Sequence, residues 1–74
     1  MTFYQLRKDT LSKQIIGNYI TYGIDVYNDL SDSPFRSIID ISLIKEPLEA
    51  LINLCNTLSL DDIQLENVIE DFFS

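Results

Sequence analysis

Apolar residues in this chain change their spacing once, near residue 43, and that change limits the folds open to it. Before it they alternate, and after it they recur at steps of three and four. Period two marks half-buried strands, and the longer steps mark the covered stripe of a helix. In YITYGIDVY, residues 19 to 27, Ile20, Tyr22, Ile24 and Val26 occupy one face, with Thr21, Gly23 and Asp25 on the other. β-branched and aromatic side chains dominate there, which suits a pleated surface covered on one side. Residues 2 to 11, TFYQLRKDTL, alternate too, with Tyr4 and Leu6 pointing one way and Gln5 and Arg7 the other. Gly17-Asn18 lies between these stretches and reads as the turn of a hairpin. NDLSDSP at 28 to 34 collects turn formers. FRSIIDI at 35 to 41 then reads as a third strand, with Phe35, Ile39 and Ile41 on one side.

Beyond the change, Ile44, Leu48, Leu51, Cys55 and Leu58 mark one stripe of a helix. Pro47 is tolerated only in a first turn, where its missing N–H has no intrahelical duty, so the helix starts near residue 45. A break follows at Thr57-Leu58-Ser59. Asp61 with Gln64 three residues later has capping-box spacing, and Leu60 with Leu65 has the spacing of a hydrophobic staple. Leu65, Val68, Ile69 and Phe72 then line the inward face of a second helix. A three-stranded sheet needs its apolar face covered, so both helices are expected on that one face. The expected fold is α+β, a three-stranded antiparallel meander followed by two helices (β-β-β-α-α). It is read as one small domain over 1–74, with the meander in 1–43 and the helices in 44–74.

Several function classes lose support at this point. At 74 residues, a domain buries only about 60% of its unfolded surface. It has little room for a pocket of several hundred Å³. The chain has no His and a single cysteine, which removes the commonest metal ligand, the usual general base and any internal disulfide. Cys55 falls on the apolar stripe of the first helix, and a reactive thiol needs an accessible, electropositive setting instead. The oxygen-rich run at 28 to 33 lacks the central Gly and the downstream Glu of a Ca²⁺ loop. There is no Gly-rich phosphate loop and no basic stripe for nucleic acid. These features predict no enzyme activity, no cofactor, no metal and no direct nucleic-acid binding. No apolar run approaches the about 18 residues that span a bilayer. MTFYQLRKD is unlike a signal peptide, and with one thiol the expected setting is the cytoplasm, away from membranes.

The segments TYGIDV, IIDIS and Val68-Ile69-Glu70-Asp71-Phe72 resemble a family of small, uncharacterised acidic proteins from Gram-positive anaerobes. In that family a YGI-type strand precedes a D-I-S turn, a helix and a closing VIEDF run. Asp61 stands where the family places a Ser or Thr cap, while Asp62 and Gln64 replace its Pro and His. The resemblance implies the same fold and carries no activity with it.

Charge is distributed unevenly. Residues 1 to 45 hold five acids and five bases, whereas residues 46 to 74 hold seven acids and no base, so the net −7 resides in the helical half. Asp62, Glu66 and Glu70 fall at i, i+4 and i+8, a column with about 6 Å between successive members. Like charges at that spacing cost a few tenths of a kcal/mol per pair, roughly. Glu70 and Asp71 also sit at the unfavourable end of the helix dipole. From sequence, nothing local compensates them.

Such a column would be steered toward a basic partner surface, imitating a row of phosphates. Small acidic phage- or prophage-encoded inhibitors, anti-CRISPR proteins among them, are similar in type. Ile15 and Ile16 fall at the predicted hairpin tip. The outer sheet face is expected to combine Phe3, Tyr19, Tyr27 and Ile38 with Arg7 and Arg36, a mixture typical of interfaces. The expected function is therefore a non-enzymatic module that binds, regulates or inhibits an intracellular protein with a basic surface. The candidate partner-binding residues are Asp62, Glu66, Glu70, Asp71, Ile15, Ile16, Tyr19 and Tyr27. The alternative is a self-associating protein, a homodimer through the outer face or a strand edge, whose acidic face confers only solubility.

Overall fold

The computed structural model describes residues 2–29 and 32–73. In chain order the elements are β1 (Phe3–Lys13), β2 (Gly17–Tyr27), β3 (Arg36–Ser42), α1 (Lys45–Thr57) and α2 (Asp62–Phe73). The strands form one antiparallel sheet in the order β1-β2-β3, and the helices pack against it, giving the expected α+β arrangement. Part of the expected turn over 28 to 34, Leu30 and Ser31, lies outside the described residues.

β1 and β2 pair along their whole lengths, from Phe3 opposite Tyr27 to Lys13 opposite Gly17. The turn is therefore residues 14–16, not Gly17-Asn18. Asn18 belongs to the ladder opposite Ser12, while Gly17 closes the turn at φ 82°, a left-handed conformation that glycine adopts without a side-chain clash.

β3 departs from simple alternation. Ile38 faces Ile24 and Ser42 faces Tyr22, so two steps along β2 correspond to four along β3. Asp40 sits at φ 58° within this bulge. The extra residues reset which side chains point inward. Arg36 and Ile38 share the inner side with their partners Val26 and Ile24, Ile41 is buried, and Phe35 and Ile39 are exposed. The expected inner set of Phe35, Ile39 and Ile41 is thus correct only for Ile41. The bulge also explains Gly23: a Cβ there would lie 2.1 Å from the Ile38 carbonyl oxygen. Only a residue without a side chain lets the two backbones approach so closely. Thr21, expected on a solvated face, is fully buried. Its hydroxyl lies 2.9 Å from Asp40 Oδ1 and 3.1 Å from the Ser42 carbonyl, sharing one proton between the two acceptors.

α1 contributes Leu48, Ile52 and Cys55 to the core, while α2 contributes Leu65 and Ile69 against Tyr4, Ile24, Val26 and Ile41. Ile44 and Leu58 are exposed, contrary to the expected stripe, because they are the cap residues and lie outside the helical period. Ile52 takes the inward place. Pro47 lies in the first turn of α1, as its chemistry demands. The helix stops in a Schellman arrangement, with Leu60 N–H donating to the Cys55 carbonyl (3.0 Å) and Ser59 N–H to the Asn56 carbonyl (3.2 Å). Ser59 fills the left-handed position at φ 50°, where glycine is usual. Leu60 and Leu65 both pack on the core, as the staple spacing predicts.

Two hydrogen-bonded links hold the helices to β1. The Asn56 side-chain amide accepts from Tyr4 N–H (2.8 Å) and donates to the Tyr4 carbonyl (2.9 Å), acting as a one-residue extension of the sheet. The Tyr4 hydroxyl donates to the Leu60 carbonyl at 2.5 Å. Toward the hairpin tip this cover runs out: Ile24 is buried, Ile20 is about half exposed, and Ile16 and Ile15 project into solvent.

Candidate functional site: a groove between β3 and α2

α2 turns Leu65 and Ile69 on one side into the core and leaves its carboxylates, with Ile63 among them, on the other. At the margin between these sides the helix runs beside β3. There Arg36, Ile38, Glu66, Ile69, Glu70 and Phe73 line a groove of about 310 Å³. Ile38, Ile69 and Phe73 supply apolar surface, while Glu66 and Glu70 supply carboxylates one helical turn apart. Arg36 Nη2 pairs with the Glu66 carboxylate, and Nη1 lies 3.5 Å from the Asp62 carbonyl oxygen.

This pairing corrects two expectations. Arg36 is expected on the outer face, but its register with Val26 places it on the inner side under α2. The acidic column is also not without local compensation, because Arg36 reaches Glu66 from the strand half. Both partners are partly solvated, so the pair adds about 0.2–1 kcal/mol at most. Of the predicted acidic residues, the groove unites Glu66 and Glu70. Asp62 meets it only through its backbone carbonyl, and Asp71 is exposed without lining it.

The aromatic candidates separate on the outer face. Tyr27 stacks on Phe3, with centroids 5.1 Å apart and planes 7° from parallel. Tyr19 sits near the other end of the hairpin, its ring 5.6 Å from Lys13 Nζ and its hydroxyl 3.5 Å from Asp40 Oδ2. Between them Arg7 holds Asp9 through two contacts (2.8 and 2.9 Å) and Asp25 through a third (2.9 Å). Ser37 also donates to Asp25 at 2.7 Å. The Arg7 hydrogen bonds hold the Asp9 carboxyl below its ordinary range, and the bond to Asp9 raises Arg7 further. A satisfied charge cluster thus divides the aromatic residues, and Ile38 and Arg36 are absent from this face. The expected mixed patch is not contiguous.

Ile15 and Ile16 are 99% and 67% exposed, so the predicted tip is as open as expected. Ile16 also joins Lys13, Tyr19, Asp40 and Leu43 around a smaller recess of about 210 Å³. The tip and the groove are distinct places. Cys55 is buried, and desolvation pushes its thiol up, which keeps it protonated and unreactive. Among the described residues, no group of three or more His, Cys, Asp or Glu is placed to hold a metal ion. Among them too, no helix is long and apolar enough to cross a membrane.

The sequence pointed to Glu66 and Glu70 but not to Arg36, Ile38 or Phe73 as their neighbours. An inward alternation of Arg36 and Ile38 was available as a signal, yet it competed with Phe35, Ile39 and Ile41. Only the bulge decides between them. No protein-family model matches this chain, and no curated protein or solved structure is significantly similar to it.

Proposed function

We propose that this chain is a non-enzymatic protein-binding module, a small acidic regulator or inhibitor of an intracellular protein with a basic surface. The observation that carries the reading is the groove itself, in which Ile38, Ile69 and Phe73 lie beside Glu66 and Glu70. An apolar recess bordered by charge has the form of a binding hot spot, where an anchor side chain is desolvated and flanking charges set orientation. The matching partner presents one or two aliphatic side chains flanked by Lys or Arg. Arg36 offsets Glu66 and fixes the geometry. The remaining carboxylates of α2 supply the field that steers a cationic partner.

A fluorophore-tagged peptide with two Ile between Lys residues tests this. Its anisotropy is expected to rise on titration with the protein, with affinity weakening as salt is added. Substituting Asp62, Glu66 and Glu70 by Lys is expected to abolish binding, and a peptide with Glu in place of Lys is expected not to bind. Unchanged binding by a folded triple variant, or no binding of the Lys peptide at low salt, contradicts the reading.

A further inference from the structure

We infer that the groove between β3 and α2 also receives the hairpin tip of a second copy of this chain, so that copies associate head to tail. The inference rests on the groove chemistry of the proposed function and names one occupant for it. Ile15 and Ile16 are among the most exposed apolar side chains of the molecule, and they stand together on one turn. That turn is held by the ladder up to Lys13 opposite Gly17, so little conformational freedom remains to be lost on docking. From Thr10 to Ile24 the only charged residue is Lys13, at the base of the tip. The tip therefore offers two aliphatic side chains beside a cation, with Asp40 set back from the turn on β3 around the recess that Lys13 and Ile16 line. This is the chemistry that Ile38, Ile69 and Phe73 with Glu66 and Glu70 would recognise.

The tip cannot reach the groove of its own chain. Ile16 lies ten residues along β2 from Val26, the partner of Arg36, or roughly 33 Å at strand rise. The contact must be intermolecular. Symmetric alternatives are disfavoured by sign: tip against tip brings two Lys13 ammonium groups together, and groove against groove brings together two sites that each hold two carboxylates against the single Arg36 guanidinium. Tip into groove opposes unlike charges. Such a heterologous contact leaves a free tip at one end and a free groove at the other, so it extends unless the rotation closes a ring. A turn inserted into a shallow groove buries little area, which places the association at the weak end of protein interfaces.

Sedimentation velocity from about 10 µM to about 1 mM, the range that weak contacts require, tests the inference. The wild-type mean mass is expected to rise roughly twofold or more across that range. Ile15→Ser with Ile16→Ser removes the tip, and Glu70→Lys with Phe73→Ser removes the groove. Each double variant alone is expected to remain monomeric, while their mixture forms a dimer that grows no further, using the intact groove of one and the intact tip of the other. Circular dichroism checks that both variants fold, and Glu70→Lys alone serves if the groove double variant does not. A wild type that stays monomeric, a tip variant that still associates, or a mixture that stays monomeric overturns the inference. The Lys-flanked Ile peptide separates the two readings. If it binds while the wild type stays monomeric, only the second-copy assignment falls; if it does not bind either, both fall.

Discussion

Arg36 on β3 pairs with Glu66 on α2, so the strand half of the molecule supplies a base to a helix that has none of its own. The contact joins the first residue of β3 to the middle of α2 and forms one wall of the groove. It explains how a helix with Asp62, Glu66 and Glu70 in one column is tolerated beside the sheet.

Replacing Arg36 by Gln is expected to lower stability by about 0.2–1 kcal/mol, the range for partly solvated ion pairs. For a domain of this size that is a fall in Tm of up to roughly 4–8 °C. Thermal melts in low and high salt check it: the deficit should shrink as salt screens Glu66 from its acidic neighbours.

Asn56→Ala removes both hydrogen bonds to the Tyr4 backbone and leaves an N–H and a C=O without their partner at the sheet edge. The expected cost is about 1–3 kcal/mol. Hydrogen exchange localises it, with the Tyr4 amide losing protection first.

Gly23→Ala is expected to be far more damaging than an exposed Gly-to-Ala change in a strand. The new methyl would meet the Ile38 carbonyl, which is backbone and cannot rotate away. Overpacking of this kind costs about 1–3 kcal/mol or more, comparable with the entire stability of about 3–5 kcal/mol usual for so small a core. Denaturant titration should show a partly or wholly unfolded variant.

Stability should fall at both ends of the pH scale, for different groups. Burial raises the Cys55 thiol above its ordinary 9.0 and the Tyr4 phenol above its ordinary 10.0. In the unfolded chain both ionise at lower pH than in the fold. Their contribution is complete below the unfolded values and is lost as pH rises toward the folded ones. Cys55→Ala should remove part of that alkaline slope while costing packing at neutral pH. Asp9 behaves oppositely: Arg7 lowers its folded value, so its contribution is present above the unfolded value and is lost as pH falls through the folded one. Asp9→Asn should flatten the acid limb in urea titrations taken at several pH values.

The element order was readable from periodicity and end signals because each acts locally. Pro47 set the start of α1, and the Leu60–Leu65 spacing set that of α2. Side-chain direction in β3 is not readable, because the two extra residues around Asp40 bring Ile41 inward out of step with Arg36 and Ile38 and leave no mark in composition. The same bulge covers Thr21 with Asp40 and Ser42, and the register of Arg36 with Val26 brings its guanidinium to Glu66, neither of which alternation alone foretells. The exposed Ile15-Ile16 tip is legible because it adjoins the Gly17-Asn18 turn signal, although the turn itself is residues 14–16. The groove was not, because it requires knowing which strand edge lies beside α2.

Methyl-detected NMR during titration with the Lys-flanked Ile peptide tests the central claim most directly. The groove reading predicts that the Ile38 and Ile69 signals move together and saturate, and that added salt reverses the change. Movement confined to residues on the outer face of the sheet, or no movement at all in low salt, would contradict it.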